Sequence, residues 1–154
     1  MYWLRSIPDD RDRTMKRRDV SGLVVWSMWQ HRLKAYRDLA KADDVWLVER
    51  HGRQRWVGWH CRVTDVPWTS DYRSVSEAAQ FVESHYGLGK GCVLNHPYTK
   101  SKRPNGLLLA CQLRPVNKVD IPLPTDLRLD QCGWTCLGET PGEVRRLGLL
   151  PPLL

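Results

Sequence analysis

Long apolar runs, secretion signals and phenylalanine are scarce or missing in this chain. Its 154 residues include one phenylalanine, and the longest apolar run covers residues 107–111, far short of the roughly 20 residues that span a bilayer. The first residues have no apolar signal core and turn acidic at Asp9 and Asp10, so we expect a cytoplasmic protein without membrane contact. The five cysteines, an odd number at mostly apolar positions, are expected to be reduced, buried thiols.

Acidic residues are absent between positions 84 and 119, in a chain whose formal net charge is +7. The same stretch carries six basic residues: Lys90, Lys100, Lys102, Arg103, Arg114 and Lys118. Because local potential follows the sign asymmetry of nearby charges, this stretch predicts a surface that contacts phosphates. A second basic cluster at residues 11–18 has acidic residues within it and beside it, and it is equally consistent with an ordinary solvated face.

Sequence patterns typical of catalysis are missing as well. There is no Walker loop, no Gly-x-Ser-x-Gly element and no spaced carboxylate–lysine set of a nuclease. The spacing of Cys132 and Cys136 matches no paired zinc-ligand pattern. We therefore expect a protein that is not an enzyme and needs no metal and no cofactor. A small toxin-like nuclease that uses His60 or His96 stays open as an alternative.

The order of β-branched runs, turns and caps predicts an α+β protein. Helices are expected at residues 30–40, with Ser27 as the cap, and at residues 74–86, with a capping box formed by Ser74 and Glu77. We expect a small curved mixed sheet or barrel flanked by two or three helices. Residues 1–138 would form one domain, and residues 139–154 a tail that packs on it or binds a partner. Strands are expected at residues 2–7, 23–26, 45–49, 54–66, 93–94, 107–114, 116–121 and 134–137.

Tryptophan is abundant, with eight residues, although Leu, Val or Phe would fill a core equally well. Placement in predicted strands explains Trp3, Trp46, Trp56, Trp59 and Trp134 without a ligand. Alternation assigns Trp59 to the apolar face of its strand and Trp56 to a surface or a position under a helix. In the strand at residues 54–66, the apolar face is expected to contain Val57, Trp59, Cys61 and Val63, unless a bulge at Gly58 shifts the register. The remaining three, Trp26, Trp29 and Trp68, lie at predicted ends of elements, where binding sites are commonly built.

The order of elements resembles the PUA-like superfamily and within it the EVE branch, with some similarity to the YTH readers of methylated RNA. The resemblance rests on Tyr2-Trp3-Leu4, on Val24-Val25-Trp26-Ser27 and on the hairpin at residues 44–63 with its Val57-Gly58 pair. It covers roughly residues 1–137. The chain lacks the Asn-rich segment of YTH domains and has instead a basic loop that begins Asn95-His96-Pro97-Tyr98.

The resemblance implies a modified base held in an aromatic cage. Trp26 would form one wall, Trp68 the opposing wall, and Ser27 would hydrogen-bond to the base. The rim of the pocket is expected to consist of Trp29, Tyr72, Asn95, His96 and Tyr98. Phosphates would be bound by Arg32, Lys100, Lys102 and Arg103. Prokaryotic EVE-like domains are also linked with methylated cytosine in DNA.

These expectations describe a monomeric, non-catalytic DNA-binding module that reads a modified base, with 5-methylcytosine as the first candidate. The base would be flipped out of double-stranded DNA into the aromatic cage. A separate nuclease or a regulatory protein is a further candidate partner, and a prokaryotic protein of this kind would associate with the nucleoid. A reader of methylated bases in RNA is the alternative within nucleic-acid binding, and a protein-interaction module that uses the Leu-Pro tail is a third possibility.

Overall fold

The structure, a computed structural model, describes residues 1–7, 22–31 and 33–150. This part of the chain contains four short helices: α1 (Lys34–Asp38), α2 (Val75–His85), α3 (Pro97–Lys100) and α4 (Gly142–Arg146). It also contains seven strands: β1 (Tyr2–Ser6), β2 (Leu23–Trp29), β3 (Asp44–His51), β4 (Gln54–Val63), β5 (Trp68–Tyr72), β6 (Gly106–Pro122) and β7 (Trp134–Gly138). The predicted α+β class is confirmed. The predicted basic cluster at residues 11–18 and the predicted phosphate ligand Arg32 lie outside the described residues.

The seven strands form one sheet that curls into a half-barrel. The strand order is β2–β6–β4–β3–β1–β7, and β5 joins as a further partner of β6. Among the described pairs, β1 and β3 run parallel and the others antiparallel. The predicted hairpin of β3 and β4 is confirmed, and its turn has Gly52 at φ +63°, a left-handed conformation that glycine adopts without strain.

Three apolar clusters hold the sheet and its helices together. The first joins residues from both ends of the strand order, Val25 of β2 and Trp134 of β7, so it lies on the concave side of the curl. The second lies between α4 and the strands around Trp46, and the third lies between α2 and the strands β2, β5 and β6. Trp3, Trp46 and Trp134 are at most 2% exposed, which confirms their predicted structural role. Each fully buried large apolar side chain contributes about 1.5–3 kcal/mol.

Strand β4 contains the bulge at Gly58 that the sequence left open. Its register shifts between Val57 and Trp59, and Val57 packs in the second cluster whereas Trp59 and Cys61 pack in the first. The prediction that all four apolar residues of this strand share one face is therefore wrong for Val57. The physical reason is that one extra residue in a strand reverses the side to which the preceding side chains point.

The segment that follows Trp26 differs from the prediction. Strand β2 continues through Ser27 to Trp29, and α1 begins only at Lys34. Ser27 therefore does not cap a helix, and Trp29 does not lie in a helical first turn. The cause is cross-strand pairing, because every residue of β2 has a partner between positions 107 and 113 of β6. Packing against a partner strand overrides a local capping signal.

The region between β4 and β7 contains further differences. The loop predicted around Trp68 is the strand β5, the expected short strand at residues 93–94 is a turn, and the loop at residues 95–106 contains α3. The two strands predicted at residues 107–114 and 116–121 are one strand, β6, which passes through Pro115. Helix α2 is confirmed together with its cap, since Ser74 Oγ accepts a hydrogen bond from the Glu77 amide at 3.2 Å.

The two ends of the curled sheet are connected by side chains. Arg5 of β1 donates to the carbonyl of Trp26 in β2 at 3.0 Å, and its guanidinium lies 5.3 Å from the ring centroid of Trp134. Trp134 of β7 in turn donates from Nε1 to Ser27 Oγ at 2.9 Å. Gly133, at φ +89°, leaves room for this arrangement, because a Cβ there would collide with Arg5 Nη1. These contacts hold β2, at Trp26 and Ser27, against β1 and β7 from the other end of the sheet.

The described part of the predicted tail packs on the domain. Val144 of α4 is 0% exposed, and Leu147 and Leu149 are buried in the same cluster as Trp46 and Leu137. Residues 151–154 lie outside the described residues. No helix in the described ranges is both long and apolar enough to cross a membrane.

Candidate nucleic-acid interface

Trp26 and Trp68 lie in one row on the same face of the sheet. Both pair with Ala110 of β6, Trp26 from β2 on one side and Trp68 from β5 on the other. Since adjacent strands are about 4.8 Å apart, the Cα atoms of the two tryptophans are about 10 Å apart. The two rings predicted as opposing walls thus flank a common position, although they lie within strands and not in connections.

Buried side chains fill the space above Ala110, the residue that Trp26 and Trp68 flank. Ala110 is 0% exposed and shares a buried cluster with Val82 of α2 and with Val93, both of which are also 0% exposed. A base stacked between two rings needs about 7 Å between them, because each contact requires about 3.5 Å. A base can therefore enter between Trp26 and Trp68 only if α2 or the turn at residues 91–94 moves.

Trp26 is held by the segment that contains α3. Its Nε1 donates to Thr99 Oγ1 at 2.9 Å, and its ring makes an edge contact with His96, with centroids 5.3 Å apart. Thr99 is 0% exposed, and His96 Nδ1 accepts a hydrogen bond from the Tyr98 amide at 3.1 Å. The rim residue His96 thus packs against Trp26, whereas the neighbouring Asn95 is exposed.

Ser27 faces away from Trp26. It is 1% exposed, and its hydroxyl accepts the hydrogen bond from Trp134 Nε1. Successive side chains of a strand point to opposite faces, so Ser27 does not share a surface with Trp26 and Trp68. The structure therefore places Ser27 apart from the two rings with which it was predicted to hold a base.

Several predicted residues meet where β2 and β5 end and β6 begins. Gly106 is the closest point of approach, because a Cβ there would lie 2.6 Å from the Trp29 carbonyl oxygen and 2.9 Å from the Tyr72 hydroxyl. The Tyr72 hydroxyl donates to the Arg103 carbonyl at 3.3 Å, and Gln30 Nε2 donates to the carbonyl of residue 105 at 2.8 Å. We name this surface the basic end and define it by Trp29, Gln30, Arg73, Tyr98, Lys100, Lys102 and Arg103.

The basic end combines cations with aromatic rings. Lys102 Nζ lies 4.1 Å from the ring centroid of Tyr98 and 5.7 Å from that of Trp29. Lys100 and Arg103 are exposed beside it. The three segments that form this surface, residues 29–31, 70–74 and 96–106, contain one acidic residue, Asp71. The cations of the acid-free stretch, residues 84–119, therefore lie beside rings that are suited to stacking on bases.

A second aromatic surface surrounds Trp68. Its indole is 41% exposed and lies 4.7 Å from Phe81 and 6.1 Å from His85, measured between ring centroids. Phe81 and His85 are one helical turn apart on α2 and stack with each other at 5.3 Å. These two residues were not among the predicted site residues. Their i, i+4 spacing was visible in the sequence, but the position of Trp68 opposite them was not.

The turn between α2 and α3 is anchored by a buried carboxylate. Glu83 of α2 is 6% exposed and accepts hydrogen bonds from the amides of Gly91, Val93 and Leu94 at 2.9, 2.9 and 3.0 Å. Burial raises the pKa of the Glu83 carboxyl, but the three amides together with the charge of Lys90 lower it, and the net pKa is below its usual value. These hydrogen bonds fix the position of residues 91–94, from which the chain continues to Tyr98 and Lys102.

His60, one of the two histidines that the alternative nuclease would use, is engaged in contacts within the protein. The His60 ring stacks on Trp46 at 4.3 Å, its Nε2 lies 2.8 Å from Asp44 Oδ1, and its Nδ1 lies 3.3 Å from Asn117 Oδ1. Both ring nitrogens of His60 are thus committed to neighbours, and the side chain is buried. Within the described residues, no group of three or more His, Cys, Asp or Glu side chains could hold a metal ion.

Among the described site residues that the sequence predicted, Trp29, Tyr98, Lys100, Lys102 and Arg103 meet at the basic end, and the Tyr72 hydroxyl donates to it at the Arg103 carbonyl. Trp68 belongs to a separate exposed aromatic cluster, and Trp26 and His96 contact each other next to Thr99 of α3. Ser27 is buried against Trp134, and Asn95 is exposed. No protein-family model, curated protein or solved structure matches this chain.

Proposed function

We propose that this protein is a non-catalytic module that binds nucleic acid through the basic end and the exposed ring of Trp68. The observation that carries the proposal is the contact of Lys102 with Tyr98 of its own segment and with Trp29 of a distant one, where the three segments involved contain one acidic residue. Cations that contact phosphates supply sequence-independent affinity, and aromatic rings stack on unpaired bases. Both kinds of side chain are present at the basic end, at the edge where β2 and β5 end, whereas the ring of Trp68 lies on the opposite face of the sheet from Trp29.

The distance between the two surfaces fits a short segment of one strand. Trp68 and Tyr72 are the two ends of β5, so the basic end lies about 13 Å from Trp68 at 3.3 Å per residue. Consecutive stacked nucleotides of one strand are about 3.4 Å apart, and the distance corresponds to about four nucleotide steps. One base would stack on Trp68 while the basic end holds the backbone a few nucleotides away.

The favoured ligand is DNA with a modified base, and 5-methylcytosine is the first candidate because of the resemblance to EVE domains. Flipping a base out of a duplex costs a few kcal/mol, and stacking on a ring returns about 1–3 kcal/mol. Burial of one methyl group adds about 0.8 kcal/mol, which corresponds to about fourfold preference. A larger preference requires Trp26 to become a second wall, by movement of the turn at residues 91–94.

The same proposal includes a setting for the protein. It acts as a monomer in the cytoplasm, near the nucleoid if the source is prokaryotic, and any cleavage of the bound DNA is carried out by a separate nuclease. A regulatory partner in place of a nuclease is compatible with a module that only binds.

Binding of matched oligonucleotides tests the proposal. Duplexes of one sequence with and without 5-methylcytosine, together with the corresponding RNA, are titrated at about 50 and 200 mM salt, since phosphate contacts weaken steeply over this range. We expect the methylated duplex to bind several-fold more tightly than the unmethylated one. Preference for the RNA would replace DNA by RNA in the proposal, and equal weak binding of all three would refute it.

Two variants separate stacking from charge. W68A is expected to lose about 1–3 kcal/mol of binding, whereas W68F retains most of it because a ring remains. R103A is expected to weaken binding and lower the salt slope by about 0.7–0.9. R128A removes the same charge from an exposed position in the segment between β6 and β7 and is the matched control. We expect R128A to leave the salt slope of binding nearly unchanged.

A further inference from the structure

The ammonium group of Lys102 occupies ring faces on which a base could stack. It lies 4.1 Å from the centroid of Tyr98 and 5.7 Å from that of Trp29, within the range of a cation–π contact. Among the described residues, no carboxylate lies within salt-bridge distance of Lys102. The described contacts of its ammonium are therefore to rings, and the Lys102 residue is partly buried there.

Both rings are fixed by contacts other than those to Lys102. The Tyr98 hydroxyl accepts a hydrogen bond from the Met28 amide at 3.0 Å, and the Tyr98 amide donates to His96. Trp29 belongs to β2, and its side chain packs against the first apolar cluster. Departure of the ammonium would thus leave two preorganised rings, which is the condition under which a flat ligand gains most from stacking.

We infer that the Trp29–Tyr98 pair is a binding position for a nucleotide and that Lys102 occupies it until the nucleotide arrives. The base takes the ring faces, and the displaced ammonium moves to the phosphate of the same or the adjacent nucleotide. This inference rests on the proposed nucleic-acid function and adds a second stacking position to that of Trp68. It assigns two roles to Lys102: competitor of the base and ligand of the phosphate.

These two roles have opposite consequences for two ligands. A nucleoside has no phosphate to receive the ammonium, so Lys102 only competes with it. A nucleotide offers a phosphate, and contact with a charged phosphate is stronger than contact with an exposed ring face. A purely structural lysine, or one that only contacts phosphate, would not make nucleoside binding weaker.

The first test uses cytidine and cytidine 5′-monophosphate with the wild type and K102A, titrated by NMR at low salt. We expect K102A to bind cytidine about two- to fivefold more tightly, the range that corresponds to one exposed cation–π contact, and to bind the monophosphate more weakly. K118A, on the part of β6 that pairs with β4, is the control and should change neither. Unchanged or weaker cytidine binding by K102A, including undetectable binding by both proteins, would overturn the inference.

The second test observes Lys102 directly. Its Hε protons lie over two rings, so they should resonate upfield of those of the other lysines, and K102A identifies the signal. Addition of a single-stranded oligonucleotide is expected to move this signal toward the others. If the oligonucleotide binds while the signal stays upfield, Lys102 does not leave the rings, and this inference alone fails. If no oligonucleotide or duplex binds at all, the proposed function fails together with it.

Discussion

Replacement of Glu83 by Gln should destabilise the protein strongly, because one carboxylate holds three backbone amides. Its two oxygens accept from Gly91, Val93 and Leu94, and the side chain is buried. Gln keeps a single acceptor oxygen and adds an NH₂ group that faces amide donors. At least one buried N–H therefore loses its partner, which costs about 1–3 kcal/mol, and the remaining bonds lose the contribution of the charge.

We expect E83Q to lower the free energy of unfolding by about 2–4 kcal/mol. For a chain of this length, 1 kcal/mol corresponds to about 2–4 °C in the melting temperature, so a decrease of about 4–16 °C is expected. Urea denaturation of E83Q and of E139Q, an exposed glutamate outside the anchor, provides the comparison. A change below about 0.5 kcal/mol in E83Q, similar to the control, would contradict the proposed strength of the anchor.

The pH dependence provides an independent check on the same anchor. The pKa of Glu83 is lowered in the folded protein, so its contribution to stability is present above the unfolded value of about 4.3 and is lost as pH falls through the lower folded value. The difference in unfolding free energy between wild type and E83Q should therefore shrink as pH is lowered below about 4. A difference that stays constant over this range would indicate that the charge contributes nothing.

Three further predictions concern other parts of the fold. G133A should be destabilised by more than 1 kcal/mol in urea denaturation, since its Cβ collides with Arg5 at a positive φ; G142A, where a Cβ meets nothing within 4 Å, is the control. In thiol labelling near pH 8, exposed Cys92 should react first, whereas Cys61 should react only on unfolding, because burial raises its pKa to about 12. S74A should lose about 1 kcal/mol of stability by removal of the cap of α2, as measured by thermal unfolding.

Features determined by neighbouring residues in the sequence could be predicted, whereas features determined by the pairing of distant strands could not. The Ser74 N-cap of α2 and the turn at Gly52 depend on neighbouring residues, and both were predicted. The extent of β2 depends on β6, which lies about 80 residues away in the sequence. The cap signal at Ser27 was present, but the buried hydrogen bond from Trp134 and the pairing with Leu109 determine its conformation.

The candidate site shows the same division. The charge asymmetry of residues 84–119 predicted a basic surface, and several of its cations meet at the basic end. The contact of Lys102 with Tyr98 and Trp29 could not be predicted, since it joins three separate positions of the chain. Nor could the filled space above Ala110, because it depends on how α2 and the turn at residues 91–94 cover the sheet.

The 17-residue strand β6 has a consequence for synthesis on the ribosome. It pairs with β2, β5 and β4, and in the described part of the chain β2 and β5 have no other strand as a partner. When the first hundred residues have left the ribosome, β1, β3 and β4 can already pair, but β2 and β5 cannot. Their apolar residues must wait until residues 106–122 emerge, which at about 5–20 residues per second takes seconds. Trp26 and Trp68 therefore reach their places late, and until then β2 and β5 leave unpaired edges and apolar residues exposed, which favours aggregation of the nascent chain.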